Sequence, residues 1–128
     1  MQEDPAQREA TEKILKAIQE QFGFVPVVNQ VLSERPDIFI PGVTFSQAVL
    51  EREDGALPKK ERYLCAIAAA AAVCGEYCLK VQIQHAKDEG ATKDEILESI
   101  MIGSFMSMTR SESYALRAFA DAFGIEYK

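Results

Sequence analysis

The chain has 128 residues, enough for one domain with a buried core, and its 48% apolar and 27% charged residues are an ordinary globular mix rather than a disordered one. Acidic residues outnumber basic ones 20 to 14, for a formal net charge of -6, and no run of Lys or Arg forms a stripe. A nucleic-acid partner is therefore disfavoured.

The opening stretch Met1–Arg8 has no apolar core and no small-residue cleavage site, so a signal peptide is not expected. The longest apolar run, Leu64 to Cys74, is far shorter than the roughly 18 residues a membrane-spanning helix requires. The 3 cysteines are an odd number in a chain with no extracellular signature. The expectation is a cytoplasmic protein with no membrane partner.

In chain order, Asp4-Pro5 reads as an N-cap followed by a first-turn proline. Leu15, Ile18 and Phe22 then fall at helical spacing before Gly23. Phe24-Val25-Pro26 is a connector, followed by a brief helix through Val27, Val28, Val31 and Leu32 that stops before Pro36. A third helix is predicted from about Asp37 to Arg52, with Pro41 awkward unless it lies in the first turn. Pro58 opens an alanine-rich helix to about Val73, whose small side chains suit the centre of a bundle. The next helix runs from about Glu76 to Glu89 and is closed by Gly90. Thr92-Lys-Asp-Glu95 and Thr109-Arg-Ser-Glu112 both carry a capping-box pattern, which predicts two further helices, the last stopping at Gly124. Strand-like alternation is absent, so the predicted fold is all-α, a single domain over residues 1–128.

The chemistry-bearing stretch is Val73 to His85. At about 100° per residue, Cys78, Gln82 and His85 share one helical stripe, and Cys74 joins it if the helix reaches that far back. Two cysteines and a histidine on one face suit a thiol-redox site with an attacking thiolate, a resolving thiol and a proton carrier. Cysteine is equally a small core filler, the expectation for Cys65. A lone histidine such as His85 is also commonly a surface or satisfied residue. The Cys-x-x-x-Cys spacing is not a zinc spacing, so no metal or other cofactor is expected.

Gly23-Phe-Val-Pro26, Arg35-Pro36, Leu57-Pro-Lys-Lys-Glu-Arg62, Glu76-Tyr-Cys-Leu79 and Gly90-Ala-Thr92 follow one another along nearly the whole chain. In that order they resemble the alkylhydroperoxidase D (AhpD)-like / carboxymuconolactone decarboxylase superfamily. The resemblance implies an AhpD-like helical bundle that assembles as a homo-oligomer, trimer or hexamer. Its redox branch uses two cysteines, a histidine and a glutamate. Cys78 falls on the attacking cysteine, while Gly75 stands at the first cysteine with Cys74 beside it. Gln82 stands at the histidine with His85 one turn on, and Tyr63 at the glutamate with Glu61 two residues earlier.

These residues lead to an expected thiol-dependent oxidoreductase, a peroxiredoxin-type enzyme with a degenerate motif acting on a hydroperoxide or disulfide. Cys78 would be the nucleophile, Cys74 the resolving thiol and His85 a proton carrier, with Glu61, Tyr63 and Gln82 lining the pocket or relay. Its partners would be a small-molecule substrate and a dithiol reductant. The alternatives are a carboxymuconolactone decarboxylase-like enzyme and a non-catalytic member of the fold used for binding.

Overall fold

The computed structural model describes residues 4–128, so the beginning of the Met1–Arg8 stretch lies outside the described residues. The described chain is all-α, with no strand among the described residues. It divides into two compact units that meet in sequence between Ala56 and Leu57. No helix among the described residues is long and apolar enough to cross a membrane.

The first unit holds α1 (Pro5–Phe22), α2 (Val27–Leu32) and α3 (Pro36–Ser46). Asp4 caps α1 by accepting a bond from the Ala6 amide, and Pro5 occupies the first turn, where its missing N–H costs nothing. α3 packs against both α1 and α2, and Phe39 is its fully buried anchor. The predicted third helix differs from the observed one in two respects. Pro41 lies inside α3 rather than in its first turn, so one main-chain bond to Asp37 is missing. The last part of the predicted span, Gln47–Glu51, is wound as a π-helix, the wider coil that commonly interrupts α-helical geometry.

The second unit holds α4 (Lys59–Ala72), α5 (Glu76–Asp88) and α6 (Lys93–Phe123). α4 is the central helix and packs against both others. Its buried stripe, Tyr63, Ile67 and Ala70, follows the spacing of one helical face. At its crossing with α6, the position a Cβ on Gly103 would take lies 2.0 Å from the carbonyl oxygen of Ala68. Only glycine permits that approach of two backbones. The close crossing explains a glycine in the middle of a helix, where it otherwise weakens the structure by roughly 1 kcal/mol relative to alanine.

The two predicted C-terminal helices are one helix of 31 residues. Thr92 forms the capping box: its Oγ1 accepts from the Glu95 amide at 3.1 Å, and its own amide donates to Glu95 Oε1 at 2.9 Å. Thr109 does not start a new helix. No glycine or proline precedes it closely enough to break the coil, and its hydroxyl donates backwards to the Met106 carbonyl at 2.9 Å, a bond made inside a continuous helix.

Candidate functional site

The residues singled out in the sequence all lie on α4, on α5 or in the turn between them, and the structure separates them into an inner and an outer set. The inner set is Tyr63, Gln82 and His85. Tyr63 comes inward from α4 on the same stripe as Ile67 and is 4% exposed. His85 comes inward from the last turn of α5 beside Ala86 and is 6% exposed. Their rings meet edge to face, with centroids 4.8 Å apart and planes inclined by 84°. Such pairs add about 0.5–1.5 kcal/mol beyond the area they bury, so the contact helps to join the two helices. Gln82, one turn before His85 on α5, is half-buried, and its Oε1 is shielded from solvent without a hydrogen-bond partner. An acceptor left so is costly and uncommon, at roughly 1–3 kcal/mol.

The outer set is Glu61, Cys74 and Cys78. Glu61 is exposed in the first turn of α4, two residues from Tyr63 and hence on a different face of the helix. Cys78 is exposed in the first turn of α5, where it follows the cap residue Gly75. Cys74 lies outside α5 altogether, in the turn after α4, with left-handed backbone at φ 60°.

This arrangement overturns the expected thiol-redox function, a peroxidase-type reaction on a hydroperoxide or disulfide. Cys65, Cys74 and Cys78 are all free and exposed, and no disulfide joins them. Cys74 does not extend the helical stripe of Cys78, because the chain reverses at Cys74 and Gly75 before α5 begins. Seven helical steps separate Cys78 from His85, about 10 Å along the axis, so the imidazole is out of reach of the thiol as a proton carrier. Among the described residues, no three of His, Cys, Asp and Glu gather closely enough to hold a metal ion. Cys65 is likewise not a core filler: it faces outward from α4, on the side away from Tyr63 and Ile67.

Two charged features of the second unit were not read from the sequence as part of this region. Arg62 is 7% exposed, and its Nε donates to the Leu57 carbonyl at 2.9 Å, which ties the start of α4 to the segment before it. Its position next to Tyr63, at the edge of the apolar stripe, is the available signal. Lys60 bridges to Glu95 Oε2 at 2.9 Å, so the carboxylate that closes the α6 capping box also holds the first turn of α4. The capping bond from Thr92 and the Lys60 ammonium together hold the Glu95 carboxyl below its ordinary range, and Glu95 raises Lys60. That pairing joins residues far apart in sequence and leaves no local pattern.

The chain is 33% identical over 67 residues to a protein of Paracoccus denitrificans described as "Uncharacterized protein 4 in cox locus", a stretch that covers 52% of this chain. The chain spans 60% of the length of that curated relative. No solved structure matches the present chain. The model of the carboxymuconolactone decarboxylase family matches residues 39–121, more than half of the chain and the part that includes Tyr63, Gln82 and His85. The chain belongs to the carboxymuconolactone decarboxylase family.

Proposed function

We propose that this chain works without redox thiols, as a decarboxylase-like enzyme on a small carboxylated lactone, with His85 as its one acid–base group. The observation that carries this reading is the Tyr63–His85 pair: the only histidine of the chain is buried edge to face against an aromatic neighbour, whereas Cys65, Cys74 and Cys78 are all exposed. Membership of the family supports the reaction class. The unpartnered Oε1 of Gln82, on the face of α5 that carries His85, offers an acceptor to a hydroxyl of the bound molecule.

In the proposed step the carbon–carbon bond to the carboxylate breaks and carbon dioxide leaves. The electron pair of that bond passes into the conjugated lactone carbonyl. The resulting dienolate takes a proton at a ring carbon from the His85 ring, and a proton from solvent replaces it after the product leaves. Tyr63 acts through His85 as a positioning residue. Gln82 does not titrate and contributes hydrogen bonding alone.

A non-catalytic binding role is the second reading, and the deep burial of His85 favours it. The test is turnover of a carboxylated muconolactone, followed by carbon dioxide release, with equilibrium binding of the same compound measured in parallel. Turnover that is lost in His85→Gln while binding persists supports the decarboxylase-like reading. Saturable binding without turnover moves the protein to the binding role, and absence of both contradicts the substrate class.

A further inference from the structure

Among the described residues of the second unit, Gln82 carries the one buried side-chain oxygen that is left without a hydrogen-bond partner. The residue is half-buried on α5, and Oε1 is its shielded end. Neither the Cys78 thiol four residues before it nor the His85 ring three residues after it donates to that oxygen. Tyr63, which packs on His85 from α4, does not either. An acceptor in this state bears the cost of its lost hydration. An unbranched apolar side chain of similar length, such as methionine, would fill the position without that cost. The cost is offset when a donor arrives from outside the chain.

The place of Gln82 on the helix says what that donor belongs to. Residues three apart on a helix are neighbours, with Cβ atoms about 5–6 Å apart, so one small molecule can touch Gln82 and His85 together. Because Gln82 is only half-buried and its side chain is long, a rotamer change brings Oε1 to such a molecule with no movement of α5. A neutral amide oxygen does not suit an ammonium group, which would lose its hydration without gaining a counter-charge. Nor does it suit a carboxylate, a carbonyl or a ring oxygen, which are acceptors like itself. A hydroxyl suits it, since it donates and stays uncharged. A carboxylated muconolactone ionised at neutral pH offers acceptors alone and would leave Oε1 unpaired.

We infer that Gln82 is a specificity-determining residue, whose Oε1 selects a lactone carboxylate that also carries a hydroxyl on a ring carbon close to the one facing His85. This deepens the decarboxylase-like reading and rests on it only in taking the Tyr63–His85 region as the binding site for a lactone carboxylate. It requires no turnover there.

Equilibrium binding of three saturated lactone carboxylates, read by calorimetry, tests it. The three differ only at the ring carbon next to the carboxylate-bearing one, which carries hydrogen, hydroxyl or methoxyl. Being saturated, they have no conjugated path for decarboxylation, so binding alone is read. The wild-type chain should bind the hydroxyl compound at least about tenfold more tightly than the other two, because only that compound donates to Oε1. In Gln82→Met the advantage should shrink to about twofold or less, and the variant should melt no lower than wild type, since the unpartnered oxygen is gone. Gln82→Leu gives the same readout if Gln82→Met does not fold. Equal binding of the three compounds, a methoxyl compound as tight as the hydroxyl one, or a hydroxyl preference that persists in Gln82→Met overturns the inference and leaves the decarboxylase-like reading standing. A hydroxyl preference in a protein that turns over no lactone supports the inference and moves the site to the binding role. Failure of all three to bind overturns both.

Discussion

The edge of one ring meets the face of the other where Tyr63 of α4 and His85 of α5 pack at 4.8 Å, both buried. That contact takes the only histidine out of the surface stripe it would share with Cys78 and makes it part of the joint between two helices. Tyr63→Ala removes the aromatic wall and leaves a cavity in a small unit, so stability should fall by about 3–5 kcal/mol. Urea denaturation followed by circular dichroism measures it. Tyr63→Phe keeps the ring and should cost far less in the same experiment.

Gly103→Ala should be among the most damaging single-methyl additions in the chain. The new Cβ would sit 2.0 Å from the Ala68 carbonyl oxygen, a backbone atom that no rotamer change can move aside. Separation of α4 from α6 should cost about 1–3 kcal/mol or more. Because the obstacle is backbone, Ala68→Gly should fail to restore the melting temperature of Gly103→Ala.

The Lys60–Glu95 bridge and the Thr92 capping box share one carboxylate, which gives the second unit a defined acid response. Folding depresses the Glu95 carboxyl, so its contribution is present above the ordinary carboxylate range and is lost as pH falls through its lowered folded value. Folding raises Lys60, so the ammonium's share is present at neutral pH and is lost only in strong alkali. Glu95→Gln should flatten the acid limb of the stability profile, and salt should weaken the wild-type bridge because both side chains are partly solvated. Thr92→Ala removes the cap itself and should cost about 1 kcal/mol.

Cys74 adopts φ 60°, a region that a side chain disfavours by roughly 1–2 kcal/mol. Cys74→Gly relieves that strain and should raise the melting temperature. A resolving thiol would show the opposite priority, with function rather than stability moved by its loss. All three thiols should also titrate with a thiol reagent in the folded protein, since all are exposed.

The helical architecture was legible because its signals are local. Asp4-Pro5 and the Thr92–Glu95 box each place a helix start from a few adjacent residues, and the structure uses both. Thr109–Glu112 has the same lettering and does not act as a start, since a capping pattern works only where the preceding chain is free to leave the helix. The site was harder to read. The 100° wheel correctly puts Cys78, Gln82 and His85 on one side of α5, but it says nothing of depth. Cys78 is in the first turn at the surface, whereas His85 is two turns further on beneath Tyr63. The break at Cys74 and Gly75 depends on a left-handed cysteine, a conformation no cysteine advertises in sequence. The Lys60–Glu95 link and the burial of Arg62 come from packing between segments distant along the chain.

The most direct measurement of the central claim is carbon dioxide release from a carboxylated muconolactone by a variant with Cys65, Cys74 and Cys78 all replaced by serine, beside His85→Gln. A site built on the Tyr63–His85 pair predicts that the cysteine-free protein turns over at the wild-type rate and that His85→Gln loses at least about a hundredfold, the usual scale for a general acid. Activity that disappears with the cysteines, or survives unchanged without His85, would contradict it.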